Sequence, residues 1–192
     1  MNKEQQKLRT MIISALFASI IGILAQVTIP LPLVPITGQT LAIGLAATIL
    51  GSRFGTLSVL VYLAIGCAGI PVFAQFSSGI SALFGPTGGY LVGFIPTAFI
   101  IGYYLEKNSF RFVHALISNI IGMFVTLLIG TAWLKVAAHL SWAGAFTGGF
   151  TPFIIVGLIK AALAAWIGVT VRKRLVTAKL LSSNSFSKKK SA

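Results

Sequence analysis

Aspartate is absent from this 192-residue chain, and glutamate occurs only as Glu4 and Glu106. So few acids leave no carboxylate pair for acid–base hydrolysis and no Ser-His-Asp arrangement. Proton or sodium relays through a membrane normally use an intramembrane carboxylate. Both glutamates fall in hydrophilic segments, which disfavours ion coupling by this chain alone. No G-x-x-x-x-G-K-[ST] phosphate loop is present, so energy for any transport is expected from a partner. Cys67, the only cysteine, supports neither a disulfide framework nor a cysteine-based metal site. These absences argue against an enzyme and against a resident cofactor. Charge of either sign is scarce too, at 9% of residues against about 25% in soluble domains.

What is present is apolar: 56% of the residues are hydrophobic, which places the chain among membrane proteins. Fifteen Lys and Arg give a net charge of +13, but they stand at the ends of apolar runs and are not interleaved with groove-reading segments. Such placement sets membrane topology and argues against nucleic-acid binding. The runs predict an all-α membrane protein with six transmembrane helices, over 11–29, 37–50, 56–70, 87–105, 112–134 and 150–171. With the N-terminus in the cytoplasm, thirteen of the fifteen basic residues fall on the cytoplasmic side, so both termini are expected there. Residues 1–181 are expected to form one substrate-binding domain. Residues 182–192, basic and Ser-rich, are expected to be a disordered tail.

That orientation gathers three low-charge loops outside: Pro30 to Pro35, an uncharged Phe/Gly/Ser segment at 71–86, and an aromatic segment at 135–149. The middle loop, too apolar for a solvated one, predicts a lid over an outward-facing cavity. Lys160 lies inside the last apolar run. A lysine at a helix centre costs about 2.5–3.5 kcal/mol on insertion scales, so it should face a cavity and an anion from outside the protein. Backbone carbonyls or snorkelling to an interface are the alternative. Ala15, Ala18, Ser19 and Gly22 recur at four-residue spacing on the first helix, a pattern that admits close approach by another helix or reflects ordinary membrane-helix composition.

Four stretches carry a family resemblance. They are Val34-Pro35-Ile36-Thr37-Gly38-Gln39-Thr40-Leu41, Gly51-Ser52-Arg53-Phe54-Gly55, Gly69-Ile70-Pro71-Val72-Phe73-Ala74 and Gly85-Pro86-Thr87-Gly88-Gly89-Tyr90-Leu91-Val92-Gly93-Phe94. Together with the segment around Lys160 they resemble the BioY family, biotin-binding S-components of energy-coupling factor (ECF) transporters. The resemblance runs from the first helix to the sixth. It implies a cell-membrane subunit that captures biotin from outside and works with a membrane coupling protein and two cytoplasmic ATPases that use ATP. The competing readings are an S-component for another small vitamin and a non-transporting membrane scaffold.

Biotin pairs an apolar body with a ureido group and a carboxylate, and so needs an apolar pocket with a few placed polar groups. Lys160 would meet the carboxylate in a charge-assisted hydrogen bond. Gln39 and Tyr90, then Thr37 and Asn119, are the candidate polar contacts, with helix–helix bonding as their alternative. Gly88 and Gly89 would allow close backbone approach to a ligand or a neighbouring helix. One departure stands out: the family pattern has Asp three residues before the lysine, where this chain has Gly157. Positions i and i+3 share a helix face, so Lys160 lacks the neutralising neighbour that the pattern implies.

Overall fold

The computed structural model describes residues 3–181, so the expected tail at 182–192 lies outside the described residues. The apolar runs become helices because a buried or lipid-facing backbone must satisfy its own hydrogen bonds. Helix α1 covers Lys3–Ala25 and is already helical through the polar N-terminal residues. Prolines 30, 32 and 35 cannot continue it. The chain instead forms a small antiparallel ribbon, β1 (Thr28–Ile29) with β2 (Ile36–Thr37), in which Thr28 faces Thr37 and Ile29 faces Ile36. The ribbon closes the Pro-rich loop and delivers Thr37 directly to the next helix.

That helix, α2 (Gln39–Cys67), holds the first difference from the predicted elements. Its 29 residues are two helical arms that meet at a kink, where Gly51 has φ 84° and ψ −173°. This conformation is open to glycine and costly for other residues. The chain folds back there: Gln39 Nε2 lies 2.5 Å from Tyr62 Oη, whereas 23 residues of straight helix would span about 34 Å. The two predicted runs at 37–50 and 56–70 are therefore the arms of one hairpin. Its turn is a single residue where five were expected.

Glu106 sits at the bend. It accepts a 2.8 Å bond from Ser52 N and a 2.7 Å bond from Ser52 Oγ, satisfying the first free amide of the second arm. Arg172 donates to the carbonyl of Ile49 and lies 3.5 Å from the centroid of the Phe110 ring. A hydrophilic turn in the sequence is thus a packed clamp joining the hairpin to the ends of two other helices.

After a 3₁₀ turn at Ala74–Phe76 and a single turn α3 (Ser81–Phe84), the chain continues through α4 (Gly88–Lys107), α5 (Phe112–Ala137), α6 (Trp142–Gly149) and α7 (Phe153–Thr177). The expected aromatic loop contains α6, which begins where Ser141 Oγ accepts a 3.1 Å bond from Gly144 N, an N-cap. Helix α4 packs between α2 and α5, and α7 lies against both α2 and α5. Tyr62, Phe73, Ile43, Ile101 and Leu134 are sealed at the centre. The outward faces stay apolar: Ile155 is 72% exposed, Trp166 64% and Val113 62%. Patches of that kind mark contact with lipid or protein. Five helical runs among the described residues are long and apolar enough to cross a membrane.

Candidate ligand-binding cavity

Lys160 is half-buried on α7. Its Nζ donates to the carbonyl of Thr37 at 2.6 Å and reaches Thr40 Oγ1 at 3.4 Å. The Pro-rich loop and its ribbon set this geometry, since they place Thr37 two residues before the start of α2. Above the ammonium opens a cavity of ≈ 330 Å³, within the ~300–1,000 Å³ range of small-molecule sites. Its walls come from the Pro-rich loop, the 71–86 segment and the helices α2, α4, α5 and α7. Below it lies a chamber of ≈ 50 Å³. The two share Thr40, Phe94, Thr126, Leu127, Phe153 and Lys160, so the ammonium stands at their junction. Lys160 is the only charged residue lining either space. The site therefore offers one positive charge in an apolar setting, suited to a small organic monoanion.

Thr37 and Gln39 also line the larger cavity. Thr37 Oγ1 donates to Gln39 Oε1 at 2.7 Å, and Gln39 Nε2 donates to Tyr62. Tyr90 is on the same wall, but its hydroxyl donates to the carbonyl of Gly149 at 2.7 Å and lies 3.4 Å from Thr131 Oγ1. Its hydroxyl proton is thereby used within the protein, leaving the ring as the part of Tyr90 that shapes the cavity.

Asn119 borders the lower chamber. Its Nδ2 donates to Thr48 Oγ1 at 3.0 Å and to the Ala115 carbonyl at 2.8 Å, tying α5 to α2. Only its carbonyl oxygen remains for the chamber. Gly157 borders the same chamber, and a Cβ there would lie 3.0 Å from Met123 Cγ and closer still to Met123 Sδ. The Met123 thioether fills the place that a side chain at 157 would take.

Two expectations need correction. Gly88 and Gly89 line neither space; a Cβ would strike the Leu83 carbonyl from the first and Trp133 Cβ from the second. They serve packing at the start of α4. The small residues of α1 divide between its buried and its exposed side: Ala18 is 2% exposed and Gly22 is buried against Val72, whereas Ala15 and Ser19 are exposed. Only the latter two are open to a partner.

The 71–86 segment is both wall and anchored loop. Phe73, 1% exposed, is edge-on to Tyr62 with centroids 5.5 Å apart, while Phe76 and Phe84 are each 70% exposed. Gln26 clamps the segment, donating to the Phe73 carbonyl at 3.0 Å and accepting from Phe76 N at 2.9 Å. Sequence reasoning did not single out Thr40, Phe94, Thr126, Met123 or Phe153. Thr40 and Phe94, both inside quoted motifs, could have been found. The others are ordinary residues of apolar helices. Among the described residues no group of His, Cys, Asp and Glu could hold a metal ion.

Comparison with known proteins settles the family. The BioY family model matches residues 1–177. The chain belongs to the BioY family. The biotin transporter BioY2 of Lactococcus lactis subsp. cremoris is 42% identical over 172 residues, 90% of this chain and 94% of that protein. The biotin transporter BioY of Thermotoga maritima is 39% identical over 166 residues, 86% of this chain and 97% of that protein. The crystal structure of the S-component for biotin from an ECF-type ABC transporter superposes with a TM-score of 0.82 at 30% identity, covering 90% of this chain and 95% of that one. This BioY chain is a multi-pass membrane protein.

Proposed function

We propose that this chain is the biotin-capturing S-component of an ECF-type uptake transporter, a binding and transport subunit with no chemistry of its own. The observation that carries the reading is the ≈ 330 Å³ cavity with Lys160 as its one charged residue, in a chain whose relatives are biotin transporters. A carboxylate ligand supplies the counter-ion that the cavity walls lack. The apolar walls take the hydrocarbon body, and Gln39 and Thr37 offer the polar contacts. Uptake draws its energy from a membrane coupling protein and ATPases that join the chain through the exposed face of α1.

The reversal at Gly51 supports six crossings, because each arm of α2 serves as one. The basic residues clustered at the Gly51 end support cytoplasmic termini. The cavity then opens outward, with the 71–86 segment as its lid.

Thermal unfolding in detergent tests the reading. A ligand at 100 times its Kd adds about 2.7 kcal/mol to the folded state, which for a chain this size raises Tm by about 5–10 °C. Biotin should produce that shift, and thiamine and riboflavin none. A shift with thiamine or riboflavin alone would assign another vitamin, and none with any ligand would favour a scaffold.

A further inference from the structure

We infer that Tyr62, a residue outside the cavity, is a positioning residue for ligand recognition, because its hydroxyl holds the Gln39 carboxamide in place on the cavity wall. The inference deepens the biotin reading and rests on it for the identity of the ligand. Gln39 lines the larger cavity while being only 5% exposed, and Tyr62 behind it is 1% exposed. Gln39 Nε2 donates to Tyr62 Oη at 2.5 Å, and Gln39 Oε1 accepts from Thr37 Oγ1 at 2.7 Å. Tyr62 is itself immobilised, with its ring edge-on to buried Phe73 at 5.5 Å between centroids. It belongs to the opposite arm of the hairpin, so the bend at Gly51 is what brings the pair together.

A carboxamide has two N–H donors and two oxygen lone pairs. Here one donor and one lone pair are committed inside the protein. One N–H and one lone pair remain, side by side. Such an edge is complementary to a ligand group that presents an acceptor next to a donor, as the C=O and N–H of a ureido ring do. The Tyr62 and Thr37 hydroxyls can each donate or accept, so they bond the carboxamide in either amide orientation and hold it at this place on the wall, with one edge left for the ligand.

A double-mutant cycle on the full chain tests this, with biotin titrated calorimetrically into Tyr62→Phe, Gln39→Leu and the double variant. Tyr62→Phe keeps the ring against Phe73 and removes only the oxygen. Its loss should raise Kd by about tenfold, because a buried amide donor loses its partner. In the Gln39→Leu background the same change should leave Kd unaltered. An unchanged Kd for Tyr62→Phe, or an equal loss in both backgrounds, would overturn the inference. A ligand-free measurement separates it from the biotin reading. In protein labelled with ¹⁵N at its five glutamine side chains, the Gln39 amide pair, assigned by Gln39→Leu, should be a distinct shifted pair that collapses to the free-amide position in Tyr62→Phe. An unmoved pair would refute the positioning role whatever ligand the cavity takes.

Discussion

Lys160 directs its protons to the Thr37 carbonyl at 2.6 Å and the Thr40 hydroxyl at 3.4 Å, both of them neutral oxygens. Dipoles of this kind offset part of the cost of an ion in an apolar setting, and a ligand carboxylate would offset more. Hydrogen bonds to a charged group contribute about 1.5–3 kcal/mol. Lys160→Met should therefore raise the Kd for biotin by about 10–150-fold in calorimetry and leave the ligand-free fold intact. A Kd within threefold of the parent would remove Lys160 from the site. Position 157 is the companion test. Gly157→Asp puts a carboxylate one turn from Lys160 and supplies an acceptor for ureido N–H groups. Met123 Sδ stands where the new Cβ must go, but it is near the free end of a flexible side chain and can swing away. Tighter biotin binding, by about tenfold, is expected of Gly157→Asp. Equal or weaker binding would show that the Gly157–Met123 pair has replaced the carboxylate for good.

Among the elements, α1 separates two roles that its sequence runs together. Ser14 and Ala18 are buried on one side at 1% and 2% exposure, and Ala15 and Ser19 are exposed on another. A tryptophan on the exposed side projects away from the bundle, whereas one at Ala18 must force α1 away from its neighbours. Ala15→Trp or Ser19→Trp should cut biotin uptake by about tenfold or more in cells carrying the whole transporter, at unchanged biotin affinity of the purified subunit. Ala18→Trp should lose both. Loss of affinity in Ala15→Trp would return that face to the fold itself. The hairpin α2 shows the same division between composition and contact. The Gly51-Ser52 pair marks a break in the sequence. The reversal turns on Gly51 and is clamped by Glu106, 54 residues on from Ser52 and bonded to Ser52 N and Ser52 Oγ.

For the molecule as a whole, orientation is the property most open to direct measurement. In a Cys67→Ser background, cysteine placed at Ser78 should react with a membrane-impermeant maleimide on intact cells, and cysteine at Ser109 only after permeabilisation. The reverse pattern would invert the cavity and end the uptake reading. The helices, their low-charge loops and their cationic ends were legible in the sequence because hydropathy and charge are read by lipid and water, one segment at a time. Lys160 was legible as a cavity residue for the same reason, since an apolar run cannot hide an ammonium. The motifs also placed Thr37 and Gln39 near the site. Other features required the tertiary structure: the Tyr90 hydroxyl turned to Gly149, the Asn119 amide turned to Thr48, Met123 seated against Gly157, and Tyr62 brought behind Gln39 across 23 residues. Each is a choice among partners far apart in the chain. A side chain that can bond either a ligand or a neighbouring helix carries the same letter in both cases, and only packing selects between them.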